Sequence, residues 1–394
     1  MMDADANSVS NRPLCYAPFT SLLIDTNKGV RPCCSWHGEY FGNLHTDKLS
    51  DIINSKSWKG LQNKMLQHEW HPACHNCKER ELYTGTSVRL GFQENAAKYE
   101  VLDNPALIEV ELNSSNICNL ACIHCSSDFS SSWIPYEKKL AEDQFASSRT
   151  KFLPQQFIQD PPKTIQDFKE VDSAAIKLLR FKGGEPFMNK EAKQLLLFLD
   201  EQGRLPDIEV EIITNGSVID KDYLPLLQRC KSVKTHISID GINEIQKYIR
   251  FGNSSTDRIE SFISFFSQLN NIQMEPLVSV MPYNVFRLHP IIEWWTAIHA
   301  LYPSRTIAKM SFNLLVMQPE YLNVNVLSDE TRAALVKKLE LINDADMKHV
   351  IQALQAPYAG AYWHTRFVQY TRLMNEYRRM KIEEIVPELA PELV

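Results

Sequence analysis

A chain of 394 residues, 44% hydrophobic and with a formal charge of −6, is long enough for two or three domains around a sizeable core. The weakly acidic balance supplies no basic field for nucleic-acid backbone, so a long DNA or RNA partner is not expected. No stretch approaches the roughly 20 apolar residues of a membrane span, and residues 1–13 are short, polar and without an apolar core, so a disordered amino terminus, no membrane partner and a cytoplasmic location are expected.

Eight of the nine cysteines fall in the first third of the chain, where they read as metal ligands more readily than as disulfides. Cys15 precedes an expected hairpin: Thr20 to Asp25, a turn at Thr26-Asn27-Lys28-Gly29 whose glycine takes a positive φ cheaply, then Val30 to Cys34. Thr46 to Met65 reads as a helix with Leu49, Ile52, Trp58, Leu61 and Met65 on one side, and Cys74-His75-Asn76-Cys77 follows. Two separated thiol pairs can close a site completely. Zinc suits four thiolates, or three with an imidazole from His71 or His75; an iron–sulfur cube is the other reading. A polar linker, Glu79 to Asn104, is expected to end this unit, which spans 14–100.

The apolar-alternating run Leu107 to Leu112 predicts a strand, and Cys118-Asn119-Leu120-Ala121-Cys122-Ile123-His124-Cys125 follows it. Three thiolates so spaced can ligate three irons of a [4Fe–4S] cube and leave the fourth open, or they are buried or zinc-bound cysteines. Residues 126–173 form a long insertion, well placed to cover a site at a strand end or a surface excursion with its own helix at Tyr136 to Phe145. Strands near 176, 208, 233, 274 and 308 then alternate with helices at Asn189 to Gln202, Asp220 to Leu227, Ser255 to Leu269 and His289 to Ala300, which indicates right-handed βαβ units and a parallel sheet. Lone Cys230 reads as a small buried hydrophobe. After a sixth strand from Ala308 to Val316, a helix from Asp329 to Leu341 and a stripe of Trp363, Phe367, Tyr370, Met374 and Tyr377 within Ala361 to Ile385 complete the pattern, with 344–394 a helical extension.

Phe181-Lys182-Gly183-Gly184-Glu185-Pro186, Thr214-Asn215-Gly216 and Ser238-Ile239-Asp240-Gly241 each close an expected strand. In that order after the cysteine triplet, these segments make the chain strongly resemble the radical S-adenosylmethionine (SAM) superfamily. The resemblance implies an α/β fold, a partial (β/α)6 TIM-like barrel over 105–343, with its site at the carboxyl ends of the strands. It implies a [4Fe–4S] cluster on Cys118, Cys122 and Cys125, with SAM bound at the open iron. Gly183, Gly184, Glu185 and Pro186 match the motif that receives the methionine amino group, and Ser238 and Asp240 match a position near the ribose. His124 stands where the superfamily usually has an aromatic residue, as an adenine contact or a plain loop residue. Arg250, in Tyr248-Ile249-Arg250-Phe251-Gly252, is similar to an arginine-glycine segment of relatives and either pairs with a carboxylate of SAM or substrate or is a solvated surface arginine. Asn215 bonds SAM or holds its turn.

Cys15, Gly29 and Cys34 in that spacing are similar to the opening of SPASM and twitch modules, which carry auxiliary clusters and usually follow the barrel; here the small α+β segment precedes it. By position Cys15, Cys34, Cys74 and Cys77 are carried over as ligands of an auxiliary [4Fe–4S] cluster, with Cys33 a possible substitute for Cys34. The resemblance implies an enzyme that takes electrons from a one-electron donor such as flavodoxin or ferredoxin, cleaves SAM to a 5′-deoxyadenosyl radical and oxidises or cross-links a substrate. A ribosomally made peptide is the first expectation and a small molecule (amino acid, sugar or nucleotide) the second. An iron–sulfur electron carrier is the alternative of another class, against which the Gly-Gly-Glu-Pro match stands. No catalytic side chain beyond the cofactor apparatus is indicated.

Overall fold

Short runs of leucine and β-branched residues ending in polar turns, each followed by an amphipathic helix, build the central sheet. The computed structural model describes residues 13–143, 145, 166, 168–169, 173–303, 306–308, 310–316, 318–342 and 347–394. Eleven strands are formed by the described residues: β1 (Ser21–Ile24), β2 (Gly29–Arg31), β3 (Gly42–Asn43), β4 (Glu109–Leu112), β5 (Leu120–Cys122), β6 (Leu178–Phe181), β7 (Glu209–Thr214), β8 (Ser232–Ser238), β9 (Arg250–Gly252), β10 (Ile272–Val280) and β11 (Ser311–Leu315). Nine of them form one sheet in the order β11-β10-β8-β7-β6-β4-β1-β2-β3. The six from β4 to β11 in that sheet are consecutive and parallel, which is the partial (β/α)6 barrel.

Period-2 alternation gives each barrel strand two faces. Val110, Leu112, Leu179, Phe181, Val210 and Ile212 are almost fully buried in one core with the flanking helices. Helix Lys190–Glu201 packs through Ala192, Leu195, Leu196 and Leu199, its first turn capped by Asn189, whose side chain accepts from the Glu191 amide at 2.9 Å. Helix Thr256–Phe266 packs through Ile259, Phe262, Ile263 and Phe266. The opposite strand face is charged: Arg180 bridges Glu109 and Glu211, and His236 lies between Glu211 at 3.0 Å and Glu275 at 2.7 Å. A barrel strand face of this kind is a polar wall rather than a filled apolar core.

The amino-terminal unit does not stand apart from the barrel. Strand β1 runs parallel to β4, with Ser21 opposite Glu109 and Ile24 opposite Leu112, so the expected hairpin β1–β2 extends the barrel sheet. The buried ion pair of Lys28 with Glu191 ties the hairpin turn to the helix after β6. In that turn the positive φ belongs to Lys28 (63°) and not to Gly29; the glycine is needed because a Cβ there would lie 2.5 Å from the Tyr40 ring. The expected helix from Thr46 to Met65 is two helices, Leu49–Ile53 and Lys56–Leu66, parted where Ser55 caps the second by accepting from the Trp58 amide at 3.2 Å. The expected linker from Glu79 to Asn104 is also helical, in His75–Thr84 and Val88–Lys98. Its polar composition conceals a buried Arg89 that bonds Glu81 through Nε at 2.8 Å and Nη2 at 2.6 Å, beside buried Phe92 and Ala96.

Within the insertion, helix Glu137–Glu142 is present, while most of 146–172, including Phe152 and Phe157, lies outside the described residues, as do residues 1–12. Cys230 is buried, as expected, with its thiol on the Leu226 carbonyl at 3.4 Å. The terminal stripe lies on helix Ala361–Arg378, which ends at Arg379 (φ 52°); Phe367, Tyr370 and Met374 are buried in the protein's own core.

Candidate functional site

Strand direction brings the motif loops together. Because β4, β6, β7, β8 and β10 are parallel, the segments after them meet at one end of the sheet, around a cavity of about 490 Å3 lined by Cys118, Cys122, His124, Cys125, Gly183, Gly184, Thr214, Asn215, Ser238, Arg250 and Ser279. Apolar Leu120, Phe129, Ile213 and Leu277 complete the wall. Nine of the residues singled out from sequence are therefore neighbours in space.

The glycine pair forms a backbone cradle. Gly183 (φ +74°) and Gly184 (φ +57°) sit where a Cβ would lie 2.9 Å from the Asn113 Cα and 2.4 Å from the Ile117 carbonyl oxygen. Only glycine offers this left-handed, close-packed backbone to a cavity.

Three expected contacts are placed differently. Glu185 and Pro186 do not line the cavity. The Glu185 carboxylate, fully buried, turns to the end of β7, where it accepts from the Thr214 hydroxyl at 2.7 Å, the Asn215 amide at 2.8 Å and the Phe187 amide at 3.2 Å. Burial raises its pKa to about 7 against those donors. Glu185 thus binds one motif loop to the next. Asp240 is also fully buried: its Oδ1 accepts from the Ser279 amide at 2.8 Å, and its Oδ2 is 2.8 Å from Arg250 Nε and 3.9 Å from His124 Nδ1. It anchors the Arg250 side chain and does not face the cavity.

Arg250 is no surface arginine; it is 6% exposed. Strand β9 pairs antiparallel with β5, directly opposite the cysteine loop, with Arg250 in register with Cys122, and Nη1 reaches the Cys122 sulfur at 3.7 Å. The Asn215 side-chain nitrogen lies 2.9 Å from Asn119 Oδ1 and 3.8 Å from the Cys118 sulfur, while its oxygen accepts from Ser217, so this residue both holds its turn and touches the triplet. Burial pushes the Cys118 thiol up to about 12 and raises Cys122, with Arg250 pulling the latter back down. A buried thiol has little use for a guanidinium, whereas a metal-bound thiolate is stabilised by one. The donor set therefore suits three anionic sulfurs.

The loop is braced from far away. The consecutive carbonyls of Ala121, Cys122 and Ile123 accept from Arg378 Nη2 at 3.0 Å, Trp133 Nε1 at 3.0 Å and the Tyr370 hydroxyl at 2.8 Å. None of these braces, nor Ser279 on the cavity wall, was marked by a motif; Thr214 lay in a motif segment but was given no role. For Ser279, the available signal was a small hydroxyl residue at the carboxyl end of an expected strand.

Among the amino-terminal cysteines the structure separates two neighbours. Cys15, Cys33 and Cys74 pack together against Trp36, Leu61, Met65 and Ala73, and Cys77 is buried among the electrostatic neighbours of Cys15 and Cys74. Cys34 is exposed, and its charged neighbours are Glu111, Lys182, Arg180 and Arg31. Of the set grouped by position, Cys34 is thus the member that lies apart, and Cys33, the possible substitute, is the neighbour that packs with Cys15 and Cys74: adjacent residues leave the chain on opposite sides. Burial pushes Cys15 to about 12 and Cys74 to about 11. All nine cysteines are free. Among the described residues no three His, Cys, Asp or Glu side chains are gathered as a shell for a single metal ion.

A family model described as the radical SAM superfamily matches residues 112–273, and a SPASM iron–sulfur cluster-binding domain model matches 15–78. This is a radical SAM chain with a SPASM-type domain ahead of its barrel. The SAM-superfamily match begins at the last residue of β4 and ends within β10, so it contains every cavity residue named above except Leu277 and Ser279. Among curated proteins the chain is 26% identical over 138 residues to Fe-coproporphyrin III synthase of Methanosarcina barkeri, covering 35% of this chain and 28% of that one. It is 25% identical over 135 residues to GTP 3′,8-cyclase of Listeria welshimeri, covering 34% of each. The matched stretch thus spans about a third of those relatives' own length. A solved structure of Streptococcus suis SuiB bound to S-adenosylmethionine overlaps 76% of this chain and 60% of its own at a TM-score of 0.40 and 15% identity. No helix among the described residues is long and apolar enough to cross a membrane.

Proposed function

We propose that Cys118, Cys122 and Cys125 hold a [4Fe–4S] cluster, that the cavity beside them takes SAM, and that the chain catalyses a radical oxidation or cross-linking of a peptide. The observation that carries this reading is the meeting of three thiols, two left-handed glycines and the ends of β6, β7, β8 and β10 in one cavity. When bound, the pair supplies one-electron cleavage of SAM and a 5′-deoxyadenosyl radical able to take a hydrogen atom from the substrate.

The chain's own work is to bind, aim and shield. Gly183 and Gly184 present backbone to an amino-acid moiety, and the hydroxyls of Ser238 and Ser279 are available to a ribose. Leu120, Ile213 and Leu277 would give the bound group an apolar wall that limits water. Cys15, Cys33, Cys74 and Cys77 would hold the auxiliary cluster. Four protein thiolates leave no iron for substrate, which suits it to receive the electron of a net oxidation. The two cysteine sets reach the sheet from opposite ends, Cys15 ahead of β1 and the triplet after β4, which runs parallel to it. A peptide is chosen because auxiliary-cluster modules of this kind often accompany peptide maturation in the resemblance drawn above.

A small-molecule substrate is the second reading, favoured by the names of the two curated relatives, one of which acts on GTP. Reconstituted protein given dithionite and SAM should release 5′-deoxyadenosine, more so with a candidate peptide, which should lose two mass units. Stimulation by GTP and not by peptides would favour the second reading. No 5′-deoxyadenosine under any condition would leave an electron carrier.

A further inference from the structure

We propose that Arg250 and Asn215 set the reduction potential of the barrel cluster, as positioning residues that act through the sulfurs of Cys122 and Cys118. This rests on the assignment of Cys118, Cys122 and Cys125 as ligands made above.

The geometry holds both donors in place. Arg250 is carried to the loop by β9, in register with Cys122, and two of its three nitrogens are committed: Nη1 to the Cys122 sulfur at 3.7 Å and Nε to Asp240 Oδ2 at 2.8 Å. Asp240 cannot swing away, because its other oxygen accepts from the Ser279 amide at 2.8 Å and it is fully buried. The orientation of the Asn215 amide is fixed as well. Its oxygen accepts from the Ser217 backbone amide at 2.9 Å, and a backbone N–H can only donate, so the nitrogen is the atom that faces Cys118 at 3.8 Å.

Reduction of a thiolate-ligated cube by a low-potential one-electron donor places added charge partly on the sulfurs. Donors aimed at them stabilise the reduced state, and hydrogen bonds to sulfur, net charge and burial are the levers that set such potentials. Arg250 supplies all three at once, since its charge is buried and the carboxylate that balances it lies on its far side, at Nε. Asn215 supplies a neutral hydrogen bond alone. Arg250 is therefore the larger contributor and Asn215 the smaller, and both raise the potential.

The test is a redox titration of the reconstituted full chain followed by electron paramagnetic resonance. The barrel cluster is identified as the signal absent from the Cys118→Ser/Cys122→Ser/Cys125→Ser variant. Arg250→Gln should lower the midpoint by about tenfold in the reduction equilibrium constant, roughly 59 mV for one electron. Arg250→Lys, which keeps the charge, should recover most of that, and Asn215→Asp should lower the midpoint as well. Should Arg250→Gln not fold because Asp240 is left unpaired, Arg250→Gln/Asp240→Asn carries the same test and should shift in the same direction, since the lost cation lies nearer the sulfur than the lost anion. Midpoints unchanged with the signal intact would overturn the proposal and leave the ligand assignment standing. A wild-type spectrum with no such signal would overturn both.

Discussion

The hydroxyl of Tyr370 donates to the carbonyl of Ile123 at 2.8 Å, joining the terminal helix to the cysteine loop across 247 positions of sequence. Arg378 on the same helix takes the Ala121 carbonyl and, through Nε at 2.6 Å, that of Tyr248. The loop that follows β4 is thus shaped by residues near the far end of the chain. Tyr370→Phe leaves a buried carbonyl short of a donor and should cost about 1–3 kcal/mol in urea unfolding. It should also speed loss of iron from the barrel site under chelator challenge; iron retention equal to wild type would show that the brace is dispensable.

The two adjacent cysteines offer a clean comparison. Cys33 packs with Cys15 and Cys74 while Cys34 is exposed. After anaerobic reconstitution, Cys33→Ser should hold roughly half the iron and sulfide of wild type, since one of two four-iron clusters is lost, and Cys34→Ser should hold nearly all of it. The reverse pattern would return the ligand role to Cys34.

Left-handed glycines differ in what surrounds them. Gly184→Ala and Gly203→Ala both force alanine into positive φ, at roughly 1–2 kcal/mol each. At Gly203 nothing lies within 4 Å of the added methyl, whereas at Gly184 it meets the Ile117 carbonyl oxygen at 2.4 Å. Gly184→Ala should be the more destabilising in thermal melts and should also weaken SAM binding in equilibrium dialysis. Gly203→Ala should leave SAM binding untouched.

The charged strand face predicts a pH dependence. Burial pushes His236 down, but hydrogen bonds to Glu211 and Glu275 outweigh it and the net direction from 6.5 is up. Burial likewise opposes Glu211, but His236 and Arg180 hold it well below 4.5. A raised histidine stabilises the fold fully below its unfolded value and loses that contribution as pH rises through its folded value. A depressed carboxylate contributes above its unfolded value and loses it as pH falls. Together they contribute most between pH 4.5 and 6.5. His236→Gln should therefore lower the urea midpoint at pH 6 and flatten its decline toward pH 9; parallel pH profiles for variant and wild type would refute this.

Much of the architecture is written in local pattern. Strand runs alternating with helices between Leu178 and Leu315 specify parallel βαβ units, and the cysteine spacing with Gly183-Gly184 locates the cavity at their carboxyl ends, because periodicity and turn chemistry act over a few residues. What no local pattern carries is which distant groups meet. The pairing of β9 with β5 took Arg250 off the surface and made it a partner of Cys122 and Asp240 on the cavity wall. Packing against Trp36, Leu61, Met65 and Ala73 put Cys33, and not Cys34, beside Cys15 and Cys74. The bonds to Thr214, Asn215 and Phe187 took Glu185 out of the cavity. Each outcome depends on burial against a set that includes residues tens to hundreds of positions away, where the cost of an unpaired polar group, and not the propensity of the segment, decides the side chain's direction.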